Sequence, residues 1–117
     1  MTYDPTNVFA RILRREIPAQ LVHEDDLCVA FRDVAPQAPL HCLVVPRRPI
    51  ASLAEADPGD AALLGHLLLT AARVARQLGA ADQGFRVVVN NGAGAGQSVF
   101  HLHVHVLAGR QLDWPPG

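Results

Sequence analysis

The sequence predicts an α+β fold: an antiparallel sheet of about five strands, with one long helix covering a face and one short helix. Three features lead to this prediction. Short apolar runs separated by turn residues indicate strands, and an apolar stripe between residues 57 and 79 indicates the long helix. The run from His101 to Leu107 alternates imidazole with aliphatic side chains, the period-two pattern of a strand. With 117 residues, the chain is expected to form a single domain spanning 1–117.

The first half of the chain is predicted to contain the short helix and three strands. The helix extends from residue 7 to about residue 15, with Pro18 helping to end it. Its apolar residues recur at helical spacing: Val8, Phe9, Ile12 and Leu13. Residues 21–24 and 27–32 indicate two strands joined by a turn at Asp25 and Asp26. Residues 41–45 indicate a third strand, which lies between the proline-containing loops 36–39 and 46–49.

The second half is predicted to contain the long helix and two further strands. Asp57 is suited to cap the helix, Pro58 to take its first position and Gly79 to end it. The apolar stripe of this helix consists of Leu64, Leu68, Ala71, Ala75 and Leu78. Residues 85–90 and about 100–108 indicate strands, joined by a glycine-rich loop at 92–96. The tail, WPPG at 114–117, cannot continue a helix or a strand.

The composition excludes several classes of protein. A net charge of -1 argues against a nucleic-acid-binding surface, and no apolar run is long enough for a membrane span or a secretory signal. We therefore expect a soluble cytoplasmic protein without nucleic-acid or membrane partners. Cys28 and Cys42 lie in apolar strands without CxxC spacing, so both are expected to be buried thiols. Because all ten basic residues are arginine, neither a Walker A loop nor a pyridoxal Schiff base is possible.

The histidine run is the strongest functional signal. In a strand, His101, His103 and His105 would share one face, while Leu102 and its alternating neighbours would enter the core on the other. Imidazole has the side-chain pKa closest to neutrality and serves as nucleophile, general acid, phosphate ligand or metal ligand. A row of imidazoles on one face of a strand therefore predicts a site.

The glycine-rich segment before this run resembles a dinucleotide-binding loop only superficially. Residues 91–98, NGAGAGQS, follow a strand, but the dinucleotide fingerprint requires a helix next. Here the alternating histidine strand comes next, so the Rossmann interpretation is rejected. Glycines still allow backbone N–H groups to converge on an anion, although a flexible hairpin loop is the simpler interpretation of the composition alone.

Three interpretations of the histidines remain open from the residues. A metal ion could bind two of them, but the outer two are about 13 Å apart at Cα, so a ligand set would need His41 or an acid from another strand. A structural row without chemistry is the second interpretation. The third is phosphoryl or nucleotidyl transfer: the middle imidazole attacks phosphorus, and its neighbours, Ser98 and backbone N–H groups neutralise the phosphate oxygens. This third chemistry, which we favour, needs no metal and no cofactor.

The run HLHVHVL at 101–107 resembles the His-φ-His-φ-His-φ-φ signature of the histidine triad (HIT) family. Other segments resemble its Hint branch: RREIPA at 14–19, EDD at 24–26, DVAPQAPLH at 33–41, GQSVF at 96–100, GRQ at 109–111 and WPPG at 114–117. The resemblance covers nearly the whole chain. It implies a HIT-like fold and a purine nucleoside phosphoramidase, which hydrolyses the P–N bond between an amine and AMP or GMP.

The resemblance also implies roles for the catalytic residues. His103 matches the nucleophile that attacks the α-phosphorus, and His105 matches the group that contacts the phosphate and protonates the departing amine. His101 supports the site, and His41 matches a fourth histidine that relays protons. Ser98 matches a phosphate contact.

The residues implied in substrate binding come from several segments. Asp33 matches the carboxylate that holds both ribose hydroxyls, and Asn90 matches a phosphate or leaving-group contact, with Gly96 and Gln97 from the glycine loop. The base slot is implied to consist of Val8, Phe9, Ile12, Phe31, Val34 and Leu43. The family forms homodimers in which the sheets join, so Trp114 is expected to reach the partner's pocket.

The remaining choices concern activity and base. Arg32 and Val34 depart from better-known members at the base pocket, which leaves adenine or guanine preference open. A dinucleoside polyphosphate hydrolase shares the histidine signature, although the WPPG ending argues against it. A nucleotide-binding interaction module with vestigial hydrolysis is an alternative from another class. His23 and His66 match no motif and are interpreted as structural, and Arg47-Arg48 as a solvated turn.

Overall fold

The structure, a computed structural model, describes residues 2–117 and contains two helices and five strands. In chain order these are α1 Val8–Leu13, β1 Leu21–Glu24, β2 Cys28–Arg32, β3 Leu40–Pro46, α2 Ala61–Gln77, β4 Phe85–Val88 and β5 Val104–Ala108. Short 3-10 turns occupy Leu53–Glu55, Pro58–Asp60 and Ala93–Ala95. The five strands form one antiparallel sheet in the order β1-β2-β3-β5-β4, which confirms the predicted fold class.

The sheet separates two apolar clusters. One cluster lies between the sheet and α2 and includes Leu67, Val74 and Cys42, together with Leu102, Val104 and Val106 from the histidine run. The smaller cluster, on the opposite face, packs Phe9 of α1 against Phe31 and Leu43. Because both faces of the sheet are covered, every residue of β3 is buried, and its sequence is almost continuously apolar.

The long helix begins and packs slightly differently from the prediction. Asp57 and Asp60 form a capping box around a 3-10 turn, so the α-helix itself begins at Ala61. Gly79 ends it with a φ of +79°, as predicted. Leu68 was wrongly placed in the buried stripe, since it is 53% exposed. Its preceding neighbour Leu67 is buried instead, because one residue turns the helix face by about 100°.

The predicted histidine strand is only partly a strand. β5 begins at Val104, so His101 and His103 precede the ladder rather than belonging to it. The segment before β5 instead contacts the chain after β3: Leu102 N donates to Ile50 O at 2.7 Å. The predictions for β4 and α1 were also too long. β4 ends at Val88, and α1 ends before Arg15, whose φ of +62° is incompatible with a continued helix.

The two thiols behave as predicted. Cys28 and Cys42 are both free and buried, and burial raises the pKa of each thiol, that of Cys28 to about 11. Among the described residues, no helix has both the length and the apolar character needed to cross a bilayer.

Candidate active site

A cavity of about 420 Å³ opens between α1, the end of β2 and the glycine loop. Its walls are mainly apolar, and the polar side chains that line it are Arg32, Asp33, Asn90, Ser98, His103 and His105. The apolar wall is formed by Val8, Phe9, Ile12, Ile17, Pro18, Ala19, Phe31, Val34, Leu43 and Val99. A mostly apolar cleft with a few convergent polar groups is the usual form of a small-molecule site.

A backbone hydrogen bond fixes the tautomer of His103 and so determines which ring nitrogen carries the lone pair. Its Nδ1 lies 2.8 Å from the carbonyl oxygen of His101, and a carbonyl only accepts, so Nδ1 carries the proton. The neutral ring therefore has its lone pair on Nε2. The ring of Phe9 packs edge-on against it, with centroids 4.9 Å apart, which fixes the ring plane at the cavity.

His105 has the opposite tautomer. The backbone N–H of Gln37 donates to Nδ1 of His41 at 3.0 Å, so the proton of neutral His41 is on Nε2. That Nε2 lies 2.9 Å from Nδ1 of His105 and donates to it. In consequence, the proton of neutral His105 is on its own Nε2. Two adjacent imidazoles, with centroids 5.0 Å apart, thus offer one lone pair and one proton.

His101 does not face the cavity with the other two. It is fully buried, and its Nε2 donates to the carbonyl oxygen of Pro46 at 2.7 Å. Its Nδ1 is then an acceptor, and the Tyr3 hydroxyl donates to it at 2.6 Å. The expectation of three imidazoles on one face is therefore not met for His101, whose ring binds Pro46 O and the Tyr3 hydroxyl and does not line the cavity with His103 and His105.

All three histidines of the run are disfavoured as cations. Burial is the largest cause in each case and lowers the pKa of His101, His103 and His105, the last to about 4. Repulsion from neighbouring imidazoles lowers the pKa of His105 further. At neutral pH the nucleophile candidate His103 is accordingly uncharged, with its lone pair available.

Asp33 occupies the junction between the histidines and the apolar wall. Its Oδ1 accepts the N–H of Ala35 at 2.8 Å, and its Oδ2 lies 3.4 Å from Nε2 of His41. The carboxylate lines the cavity as well. It is therefore placed both to contact a bound ligand and to stabilise positive charge on the His41–His105 pair.

The glycine loop brings some of its predicted residues to the cavity and not others. Gly96 and Ser98 line it, and Gly96 has a φ of +91° that favours glycine. Gln97 is buried and fastens the loop instead: its Oε1 accepts from Gly92 N, and its Nε2 donates to the carbonyl oxygens of Ala51 and Val99.

Trp114 lies in the tail away from this cavity and is 82% exposed. Arg86 holds the tail by donating to the carbonyl oxygens of Leu112 and Asp113. Sequence reasoning gave no site role to four residues that line the cavity: Ile17, Pro18, Ala19 and Val99. Arg32, which it placed at the base pocket, lines the cavity as well. Residues 17–19 lie within a segment that carried the resemblance, so that segment was the available signal.

Asp33, His41 and His105 could also hold a metal ion, since each places one ligand atom within 4.8 Å of the others. The sequence analysis required His41 or an acid from another strand for any metal, and this set contains His41 together with Asp33, which directly follows β2. The same atoms are already hydrogen-bonded or ion-paired to one another, so the geometry equally suits a proton relay.

Comparison with known proteins places the chain in a family. A sequence model of the HIT domain matches residues 14–112. The chain is 61% identical over 110 residues to an uncharacterized HIT-like protein of Synechocystis, covering 94% of this chain and 96% of that one. An uncharacterized HIT-like protein of Synechococcus elongatus is 60% identical with the same coverage.

Solved structures agree with the sequence comparison. A HIT family hydrolase from Legionella pneumophila superposes with a TM-score of 0.93 at 43% identity, covering 96% of this chain and 100% of the other. A HIT family hydrolase from Clostridium thermocellum superposes with a TM-score of 0.90 at 39% identity, covering 92% and 94%. The histidine run, the fold and these relatives together show that this chain belongs to the HIT domain family.

Proposed function

We propose that the protein hydrolyses purine nucleoside 5′-phosphoramidates, releasing AMP or GMP and an amine, in the manner of the Hint branch. The observation that carries this proposal is the opposite tautomers of His103 and His105, which line the same cavity. A lone pair beside a proton is what displacement at phosphorus requires: one group to attack and one to protonate what leaves. The nucleotide-hydrolysing or nucleotide-binding character of the HIT fold supports the same reading.

In the first step, Nε2 of His103 attacks the α-phosphorus and the P–N bond breaks. The amine departs with a proton that the His41–His105 pair takes up from solvent as the anionic substrate binds, so the pair is positively charged before this step and neutral after it. In the second step, water attacks the phosphohistidine and returns one proton to that pair, so the protons balance over the cycle. Asp33, 3.4 Å from His41, lowers the energy of positive charge on the relay.

The rest of the cavity suits a purine nucleotide. The apolar wall, including Phe9, Phe31 and Leu43, offers a slot for a flat base. Asp33 can accept from both ribose hydroxyls, and the side chains of Ser98 and Asn90 can donate to phosphate oxygens or the leaving group. No metal or cofactor is assigned to this mechanism.

We also propose that the active form is a homodimer with joined sheets. β4 lies at one edge of the sheet, where a strand from a second chain could pair with it, which supports an interface on this side. In such a dimer Trp114 would shape the leaving-group side of the partner's cavity, which explains why so large an apolar side chain is exposed in one chain.

The test is turnover of adenosine 5′-phosphoramidate by chelator-treated protein, comparing wild type with His103→Ala. We expect hydrolysis by the wild type and none by the variant, while AMP binding persists in both. Turnover by the variant at the wild-type rate would contradict the assignment of the nucleophile. A preference for diadenosine polyphosphates would favour a dinucleoside polyphosphate hydrolase. Nucleotide binding without any turnover would favour an interaction module. Loss of activity with chelator would favour a metal ion bound by Asp33, His41 and His105.

A further inference from the structure

A second cluster of chemically reactive side chains lies on the α2 side of the sheet, outside the cavity lining. Its centre is Asp25, in the turn between β1 and β2. His23 at the end of β1, Cys28 at the start of β2 and His66 on α2 converge on this carboxylate. None of the four lines the candidate active site.

Three of the side chains meet at one carboxylate oxygen of the fourth, Asp25. Asp25 Oδ2 lies 2.7 Å from His23 Nε2, 2.8 Å from His66 Nε2 and 3.6 Å from Cys28 Sγ. Ligand atoms of His23, Asp25 and Cys28 all lie within 4.8 Å of one another. The other oxygen, Oδ1, accepts the backbone N–H groups of Leu27 and Cys28 and so fixes the carboxylate within its turn.

The types of all four groups, and the spacing of the three from the β1–β2 hairpin, match the preferences of zinc. Two imidazoles, one carboxylate and one thiolate are the common zinc ligands, and tetrahedral coordination sets neighbouring ligand atoms about 3.4 Å apart. The imidazole nitrogens would need to move away from Oδ2 by about 0.7 Å to admit the ion. His23, Asp25 and His66 are partly exposed, which leaves an entry path, while Cys28 closes the buried side.

The charges also fit. A divalent cation bound by one carboxylate and one thiolate forms a neutral cluster, which suits a partly buried position. Binding would shift the ring protons of both histidines from Nε2 to Nδ1 and release the thiol proton of Cys28 to solvent.

We propose that His23, Asp25, Cys28 and His66 form a zinc site that ties α2 to the β1–β2 turn, separate from the catalytic cavity. This site is independent of the proposed function. The three ligands from β1, the turn and β2 provide the compact part, and His66 adds a ligand from the helix that packs on them.

The test is titration of the metal-free full chain with zinc alone, followed by calorimetry and by thermal unfolding. The key variants are His23→Gln and Asp25→Asn; the latter keeps an oxygen for the backbone N–H groups of the turn. His105→Gln is the matched control, because it removes a ligand from the other candidate cluster, Asp33–His41–His105. Cobalt replaces zinc as a second probe, since a thiolate–cobalt absorption band reports ligation by Cys28.

We expect the wild type and His105→Gln to bind one zinc per chain with similar affinity. In His23→Gln and Asp25→Asn the affinity for zinc should be weaker by about 10–100-fold or more. We also expect the zinc-dependent rise in the unfolding temperature to vanish in the same two variants, while His23→Gln without zinc keeps its phosphoramidase activity. Zinc binding that survives both variants and is lost in His105→Gln would overturn the proposal, as would no zinc binding by the wild type. The cluster around Asp25 would then only hold α2 to the β1–β2 turn through hydrogen bonds.

Discussion

Replacing Tyr3 by phenylalanine tests the hydrogen bonds that fix the histidine run. The Tyr3 hydroxyl donates to Nδ1 of His101 at 2.6 Å, and the other ring nitrogen of His101 already donates to Pro46 O. Phenylalanine keeps the edge-on ring contact, whose centroids are 5.6 Å apart, and removes only the donor. If His101 then changed tautomer, Pro46 O would lose its donor, so one buried group is left unpaired in either case.

The magnitude follows from this unpaired group. A buried acceptor without a donor costs about 1–3 kcal/mol, and the partial exposure of Tyr3 favours the lower half of that range, about 1–2 kcal/mol. For a chain of 117 residues the entropy of unfolding makes 1 kcal/mol equal to about 4 °C in Tm, so we expect a fall of about 4–8 °C. The backbone carbonyl of His101 still holds His103, so kcat should fall by less than about tenfold, which is under 1.4 kcal/mol.

The assay is urea unfolding at pH 7 together with steady-state turnover, and Tyr3→Leu separates the hydroxyl from the ring. Tyr3→Leu should be less stable than Tyr3→Phe because it also loses the aromatic contact. The nitrogen chemical shifts of the His101 ring should change in both variants. Unchanged stability and unchanged His101 shifts in Tyr3→Phe would refute the reasoning, because the bond would then contribute nothing to the tautomer.

Three further predictions concern pH, the core and the tail. Since the pKa of His105 is lowered from 6.5 to about 4, the unfolded chain takes up a proton on this ring at a higher pH than the folded chain does. The free energy of unfolding is therefore at its full value above about pH 6.5 and falls as the pH goes from 6.5 towards 4. Urea unfolding at pH 7 and at pH 5 would show this fall. Leu67→Ala should cost about 2–5 kcal/mol by the same measurement, whereas Leu53→Ala, at a partly exposed position, should cost under about 1 kcal/mol. If the proposed dimer forms, Trp114→Ala should raise KM about tenfold for phosphoramidates with bulky aromatic amines and change KM for the unsubstituted phosphoramidate by less than about twofold. Equal effects on both substrates would contradict the position of Trp114 beside the leaving group.

The sequence predicted the elements whose signal is local. The alternation of the histidine run correctly placed Leu102, Val104 and Val106 in the core, and Gly79 marked the end of the long helix. It could not reveal that His101 does not line the cavity, because the partners of its ring, Pro46 O and the Tyr3 hydroxyl, are far away in the chain.

The electrostatic details of the candidate site were beyond sequence reasoning for a related reason. The tautomer of His41 is set by the backbone N–H of Gln37, and no side-chain pattern reports where a backbone donor points. Likewise, His23 and His66 looked structural because each matched no motif alone. The β1–β2 turn brings His23 to Asp25, and only the packing of α2 on that turn adds His66.

The opposite tautomers of His103 and His105 depend on the path of the backbone more than on neighbouring side chains. A carbonyl oxygen, that of His101, forces the proton of His103 onto Nδ1. An amide N–H, that of Gln37, forces the opposite arrangement on His105 through His41. Because every residue type except proline has both backbone groups, substitutions at positions 37 and 101 can leave the tautomers intact if the chain keeps its course. The donor and the nucleophile therefore exchange roles only if the 37–41 loop or the segment before β5 moves.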